Sequence, residues 1–290
     1  DPSADAIGLV AAYRAETTHA RSHAASERYF VWIDRETALE KAAASEARWA
    51  KGAPLGPLDG LPMTVKDNVA QEGYSMLRGS RISAASRMAF SAPVVARMVD
   101  AGAIPVGRTT LPEYGWKGLG DSPQHGITRN PWDTRFTTGG SSAGAGAAAA
   151  LNLGVLHIGT DGAGSVRIPS SFCGVFGLKP SYGRIPAYPP SPFAIVSHVG
   201  PMTRSVRDAA LMLSLTSGPD PRDITAIHAP SPDFRVGLED GVRGMRIGWS
   251  PRLGYGENRD PEVEEMTAKA AKVFEELGAH VEEADPEFEE

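Results

Sequence analysis

Four short runs in this chain carry residues whose types and spacing could do covalent or acid–base chemistry. Gly140-Ser141-Ser142-Ala143-Gly144 matches G-x-S-x-G, in which a serine nucleophile sits on a sharp turn between a strand and a helix. A helical pattern follows it, but the preceding NPWDTRFTT is turn-like. His157, His198, His228 and His280 follow this serine as possible bases, and none lies in a motif that marks it as one. Gly144-Ala145-Gly146-Ala147-Ala148-Ala149 matches the G-x-G-x-x-A dinucleotide fingerprint. Its glycines would fall inside the helix rather than in the turn before it, and no acidic residue follows at the end of a second strand, so the match is a decoy.

The other two runs belong together. Thr160-Asp161-Gly162-Ala163-Gly164-Ser165-Val166-Arg167 reads as a strand end, a small-residue loop and a serine at the start of a helix. Successive small residues leave backbone N–H groups free to converge on an oxyanion. Lys66 ends the apolar run LPMTVK, where a lysine is costly unless its head reaches solvent or is put to use. The chain has no G-K-[ST] phosphate loop, and no His or carboxylate pair at helical metal-ligand spacing. The single cysteine, Cys173, excludes an intramolecular disulfide and a thiolate zinc cluster, and is expected to be a buried packing residue.

These residues need elements to hold them. The chain has 290 residues, 41% of them hydrophobic and 22% charged, which suits a globular fold with a substantial core. Its 32 glycines and 23 prolines imply many tight turns. ADAIGLVAAYR and ETALEKAAASEARWAKG have helical periodicity, and Gly52 to Asp59 breaks it. LPMTVKDNV predicts a strand, SAPVVARMVDAGA a helix and AIPVGRTT a strand. Ser141 to Asn152 then predicts a helix, Gly154 to Gly159 a strand, Ser205 to Thr216 a helix and MRIGWS a strand. Pro261 to Leu277 and AHVEE complete the alternation. Such alternation predicts an α/β sandwich with a largely parallel or mixed central sheet, read here as one domain. RIPAYPPSPF, residues 184 to 193, is expected to be an irregular surface loop.

Phe136 to Thr160 contains no Asp, Glu, Lys or Arg, yet it is too rich in Gly, Ala and Ser for a membrane span. A buried helix followed by a buried strand accounts for it better. The net charge of −6 is concentrated in residues 261 to 290, with eleven acidic residues against Lys269 and Lys272. Such a run is most simply a solvated face, and the scattered basic residues make no nucleic-acid footprint. The first residues, DPSADAIGLVAAYRAE, lack the apolar core of a signal peptide, and a cytoplasmic location is expected.

The run from GPLDGLPMTVKDNV through GRTTLPEYG, ITRNPWD, TTGGSSAGAGAAAA and GTDGAGSVRIPSSFCGVFGLKPSYGRI to GPMTRSVRDAALML resembles the amidase signature family. The resemblance covers most of positions 36 to 216, with several motifs in the family's order. It implies an amidase-signature fold: a central mixed β-sheet flanked by helices on both faces. N-terminal helices would occupy 1–52, a catalytic core 53–217, and an incomplete C-terminal portion 218–290. It implies that Ser165 is the nucleophile, Lys66 the base, and Ser141 a bridging serine that follows a cis peptide bond. Backbone N–H groups of Gly162, Ala163, Gly164 and Ser165 would form the oxyanion hole, with Ser142, Asp161 and Arg167 in support.

Two departures from the family pattern stand out: Ala163 where a glycine is usual, and Ser141-Ser142-Ala143-Gly144 where SSGG is usual. The loop therefore requires Ala163 to keep an ordinary backbone conformation. The resemblance implies hydrolysis of a small-molecule or acyl amide through an acyl-enzyme, without cofactor or metal, nucleic acid or membrane. It allows a homodimer. An unperturbed lysine would stay protonated at pH 7, against roughly 4–5 kcal/mol, so Lys66 must be buried to serve as a base. The alternatives are a non-catalytic or partner-dependent component of an amidotransferase-like assembly, or a Ser-His hydrolase that uses Ser142.

Overall fold

The Ala-rich run after Asp34 forms helix α1 (Arg35–Ala50) in the computed structural model, which describes residues 29–256 and 259–286. The Asp34 side chain accepts from the Thr37 N–H at 3.1 Å, satisfying one of the first-turn donors. Ala38, Ala42 and Ser45 form the buried stripe of α1, with the two alanines against Ile104 and Val106. The helix predicted over ADAIGLVAAYR lies outside the described residues.

The chain divides into two compact units, residues 1–235 and 236–290, a boundary that falls inside the segment 218–290 set apart from the sequence. In the first unit, six strands form one sheet. They are β1 (Phe30–Ile33), β2 (Pro62–Lys66), β3 (Ile104–Thr109), β6 (Leu156–Asp161), β7 (Phe176–Gly177) and β8 (His198–Thr203), in spatial order β1-β3-β2-β6-β8-β7. β4 (Asp121–Ser122) and β5 (Gly126–Ile127) make a separate small hairpin. β2 lies parallel to both β3 and β6, and the remaining pairings are antiparallel. The central strands are covered on both faces, which is why PMTVK and IPVGRT are buried throughout rather than alternately.

Side-chain alternation along β2 assigns the faces. Met63 and Val65 enter the main core with Leu156, Ile158 and the apolar sides of α2 (Pro93–Asp100) and α5 (Val206–Thr216). Thr64 and Lys66 face the other way, toward His157 and the start of α3 (Ala143–Ala150), and α4 (Arg167–Cys173) follows the loop after β6. The mixed sheet with helices on both faces is the architecture expected from the sequence. Residues 136–160 contain a buried helix and a buried strand, with Phe136 and Leu151 exposed outside them, and among the described residues no helix is long and apolar enough to cross a membrane.

α3 is built from glycine and alanine because its neighbours approach to backbone distance. A Cβ on Gly144 would lie 2.2 Å from Tyr29 O and 2.5 Å from Thr110 N. Alanine exceeds glycine in helix propensity by about 1 kcal/mol, but overpacking against two rigid backbones costs about 1–3 kcal/mol. The clash should win. Gly144→Ala is expected to destabilise the fold by about 1 kcal/mol in urea unfolding; equal or greater stability would show that α3 has room to shift.

Three strands of the sheet, β1, β7 and β8, are not legible in the sequence pattern, and β7 is only two residues long. β8 carries Gly200 and Pro201 inside HVGPMT, both unfavourable in a strand, yet Pro201 pairs with Ile158 and its carbonyl accepts from Leu178 N–H. β1 is four residues long and, among the described residues, pairs with β3 alone. In the second unit, β9 (Arg246–Trp249), α6 (Pro261–Glu276) and β10 (His280–Glu283) form a β-α-β turn with the strands parallel. Glu262, Glu265, Glu275 and Glu276 of α6 are exposed, as a solvated acidic face requires.

Candidate active site

β2 and β6 run parallel, so their carboxyl ends meet on one edge of the sheet, where ligands of open α/β sheets commonly bind. Lys66 ends β2 and Asp161 ends β6. The loop before α3 delivers Ser141 and Ser142 to the same edge, and the loop after β6 delivers Ser165.

Lys66 is fully buried, and the solvent-reaching alternative is excluded. Its Nζ lies 2.7 Å from Ser141 Oγ, 2.8 Å from Thr160 Oγ1, 2.9 Å from Ser142 Oγ and 3.4 Å from Thr160 O. All four partners are neutral oxygens. Burial penalises the ammonium form and lowers the lysine to about 7, against the opposing pull of Asp161. Asp67 turns away: its carboxylate accepts from Arg108 Nε at 2.8 Å and from the Leu77 and Arg78 N–H groups.

Ser141 follows a cis Gly140–Ser141 peptide bond and is 2% exposed. Ser142 stands at the N-cap position of α3, but its side chain is engaged elsewhere and saturated: its Oγ donates to Thr160 O at 3.2 Å and accepts from Thr160 N–H at 3.3 Å and from Lys66. Its own N–H donates to Ser165 O at 3.1 Å, tying the two loops together. Ser142 is wholly buried, and among the described residues no histidine bonds to it, so the G-x-S-x-G reading fails here. His157 instead bonds Thr64 Oγ1 at 2.9 Å, and burial lowers its imidazole to about 4, making it a neutral pin between β2 and β6. His198 Nδ1 bonds the carbonyls of Asp161 and Val196.

Ser165 is half-buried, and its Oγ makes no hydrogen bond among the described residues. The structure thus joins Lys66 to Ser141 directly and ties Ser165 to Ser142 through its backbone carbonyl. Around Ser165 the loop is organised by Asp161. Its Oδ1 accepts from Gly164 N–H at 2.7 Å and Arg167 Nη2 at 3.0 Å, and its Oδ2 from Val166 N–H at 3.1 Å and Arg167 Nε at 2.9 Å. Burial alone would raise this carboxyl, but the Arg167 fork and the two amides hold it at about 2.

The Gly164 N–H, expected in the oxyanion hole, is therefore turned inward to Asp161. The N–H groups of Gly162, Ala163 and Ser165 have no partner among the described residues. Gly164 also takes the positive φ of 107° that the turn needs, so Ala163 stays out of that region, as its methyl requires. Cys173 is buried behind the loop with its thiol raised to about 12 by burial, a packing residue as expected.

Two residues of the site carry no signal strong enough to pick out beforehand. Thr160 offers both its hydroxyl and its carbonyl to Lys66, and Asn68 Nδ2 donates to Thr160 Oγ1 at 3.0 Å. Asn68 lies two positions past Lys66, in the turn in which Val69 N–H donates to Lys66 O at 2.9 Å. Among the described residues no group of three or more His, Cys, Asp or Glu side chains could hold a metal ion.

The profile of the protein family described as Amidase matches residues 13–290. The chain is 42% identical over 249 residues to a glutamyl-tRNA(Gln) amidotransferase subunit of Moorella thermoacetica, covering 86% of this chain and 51% of that one. It is 42% identical over 259 residues to an acylamidase of Rhodococcus erythropolis, covering 89% and 54%. Among solved structures, a bacterial aryl acylamidase of the amidase signature enzymes superposes with a TM-score of 0.85 at 34% identity, covering 96% of this chain and 58% of that one. The chain spans about half the length of the curated relatives it matches.

Proposed function

This chain belongs to the amidase signature family, and from that membership we propose that it carries the catalytic half-reactions of a carboxamide hydrolase. The observation that supports this best is a buried lysine, lowered to about 7, bonded at 2.7 Å to Ser141. In the proposed cycle Ser165 Oγ attacks the amide carbonyl, Ser141 takes its proton, and Ser141's own proton passes to Lys66. The N–H groups of Gly162, Ala163 and Ser165 hold the oxyanion. The proton returns through Ser141 to the departing amine, leaving an ester on Ser165. Water, deprotonated along the same path, releases the carboxylate. Asp161 and Arg167 keep the loop in shape, and Ser142 keeps Lys66 in place.

The substrate class proposed is a small-molecule or acyl amide, supported by the likeness to an acylamidase. The equal likeness to one component of an amidotransferase supports a second reading, in which the chain works only beside a partner. Incubation with a fluorophosphonate, followed by peptide mass spectrometry, should place the label on Ser165. A chain that is folded but never labelled there would favour the non-catalytic reading. Aliphatic, aryl and dipeptide amides, tested against Ser165→Ala, then separate the substrate classes.

A further inference from the structure

A neutral lysine offers two N–H donors and one lone pair, and its use as a base depends on where the lone pair points. Three hydroxyls surround Nζ, those of Ser141, Ser142 and Thr160. If either of the last two donated to Nζ, it would compete with Ser141 for the lone pair. Ser142 cannot: its proton goes to Thr160 O, and its second acceptor site is taken by Thr160 N–H. The backbone places no such restriction on the Thr160 hydroxyl. What meets it is Asn68, whose Nδ2 donates to Oγ1 at 3.0 Å, while Asn68 Oδ1 is buried without a partner among the described residues. Asn68 fills one of the hydroxyl's two lone pairs, which leaves Oγ1 one lone pair and one proton, and the base function of Lys66 requires that the lone pair, not the proton, face Nζ.

We propose that Asn68 is a positioning residue for the base: through Thr160 Oγ1 it turns the lone pair of Lys66 toward Ser141 and keeps the amine's surroundings free of a second carboxylate. This rests on the Ser165–Ser141–Lys66 reading above. The choice of amide over acid matters because of what else faces Lys66. On β6, Asp161 attracts its charged form but is neutralised by Arg167, and His157 is held by Thr64. Just past β2, Asp67 is paired with Arg108 of β3. α3 carries no titratable side chain, and Glu113, in the turn that brings Gly115 near Ser141, accepts from Ser80 at 2.6 Å. A carboxylate at position 68 would be the second acid acting on the amine, within about 6 Å of it, close enough to hold the ammonium form to a pH about one unit higher.

The test is the rate of Ser165 phosphonylation by a fluorophosphonate across pH 5 to 10, followed by intact mass on the full chain. The parent should show one acid limb. In Asn68→Asp that limb should move to higher pH by about one unit or more, with thermal unfolding close to the parent's. Thr160→Val approaches the same contact from the other side and should slow labelling about tenfold, about what one oriented hydrogen bond is worth. Thr160→Ser, which restores the hydroxyl, should restore the rate. If the parent is labelled and the Asn68→Asp profile superimposes on it, the inference is overturned. So it is if Thr160→Val folds and reacts at the parental rate. A folded parent that is never labelled at Ser165 overturns the underlying reading, and this inference with it.

Discussion

Replacing Lys66 by alanine should lower amide turnover by on the order of 10⁴-fold or more, and Ser165→Ala should do the same, because each removes a member of one proton-transfer unit. For the same reason the double variant should be little worse than either single one, since residues that act as a unit are strongly non-additive. The pH dependence identifies the base. Lys66 must be neutral to accept a proton and is lowered to about 7 by burial. kcat/KM should therefore rise as pH increases through about 7 and then level off. Residual activity in Lys66→Ala should lose that limb. A histidine could imitate such a limb, so His157→Gln is the control: His157 is lowered to about 4 and bonds Thr64 rather than a serine of the site. If the limb vanished in His157→Gln and persisted in Lys66→Ala, the lysine mechanism would be wrong.

The parts of this site legible in sequence are those whose chemistry conflicts with their position. Lys66 stands out because it ends an apolar strand, and the structure resolves the conflict by surrounding it with hydroxyls instead of water. The G-x-G-x-x-A run is equally visible and means something else. Gly144 and Gly146 sit within α3 because Tyr29, Thr110 and Pro169 press against it. Thr160 and Asn68 are ordinary in sequence, and their place beside Lys66 follows only from the parallel pairing of β2 with β6, which sets Val65 against Ile158. Pairing at that separation leaves no trace in local pattern. The inward turn of the Gly164 N–H is likewise a property of the folded loop, since Asp161 must reach forward by three residues to take it. β8 is hidden because Gly200 and Pro201 carry the wrong propensities, and neighbours on both sides override them.

A buried base should also be visible in stability, independently of any substrate. Above its ordinary value of 10.5, Lys66 is neutral in both folded and unfolded chains, so its ionisation contributes nothing to stability. Between 10.5 and about 7 the unfolded chain holds a proton that the folded chain does not. Stability then falls as pH falls, and below about 7 the full penalty is in place. From these two values the loss between pH 10 and pH 7 is about 3–4 kcal/mol. Lys66→Met removes the titrating group while keeping most of its volume. The hydroxyls of Ser141 and Thr160 lose a partner at every pH, at a cost of about 1–3 kcal/mol each. That cost is nearly constant, so it offsets the curve without tilting it. Relative to the parent, Lys66→Met should therefore be about 3–4 kcal/mol more favourable at pH 7 than at pH 10 in urea unfolding. Other titrating groups act on both proteins alike and cancel in the difference. A flat difference would mean that Lys66 keeps its proton on folding, and a lysine that keeps its proton cannot take one from Ser141.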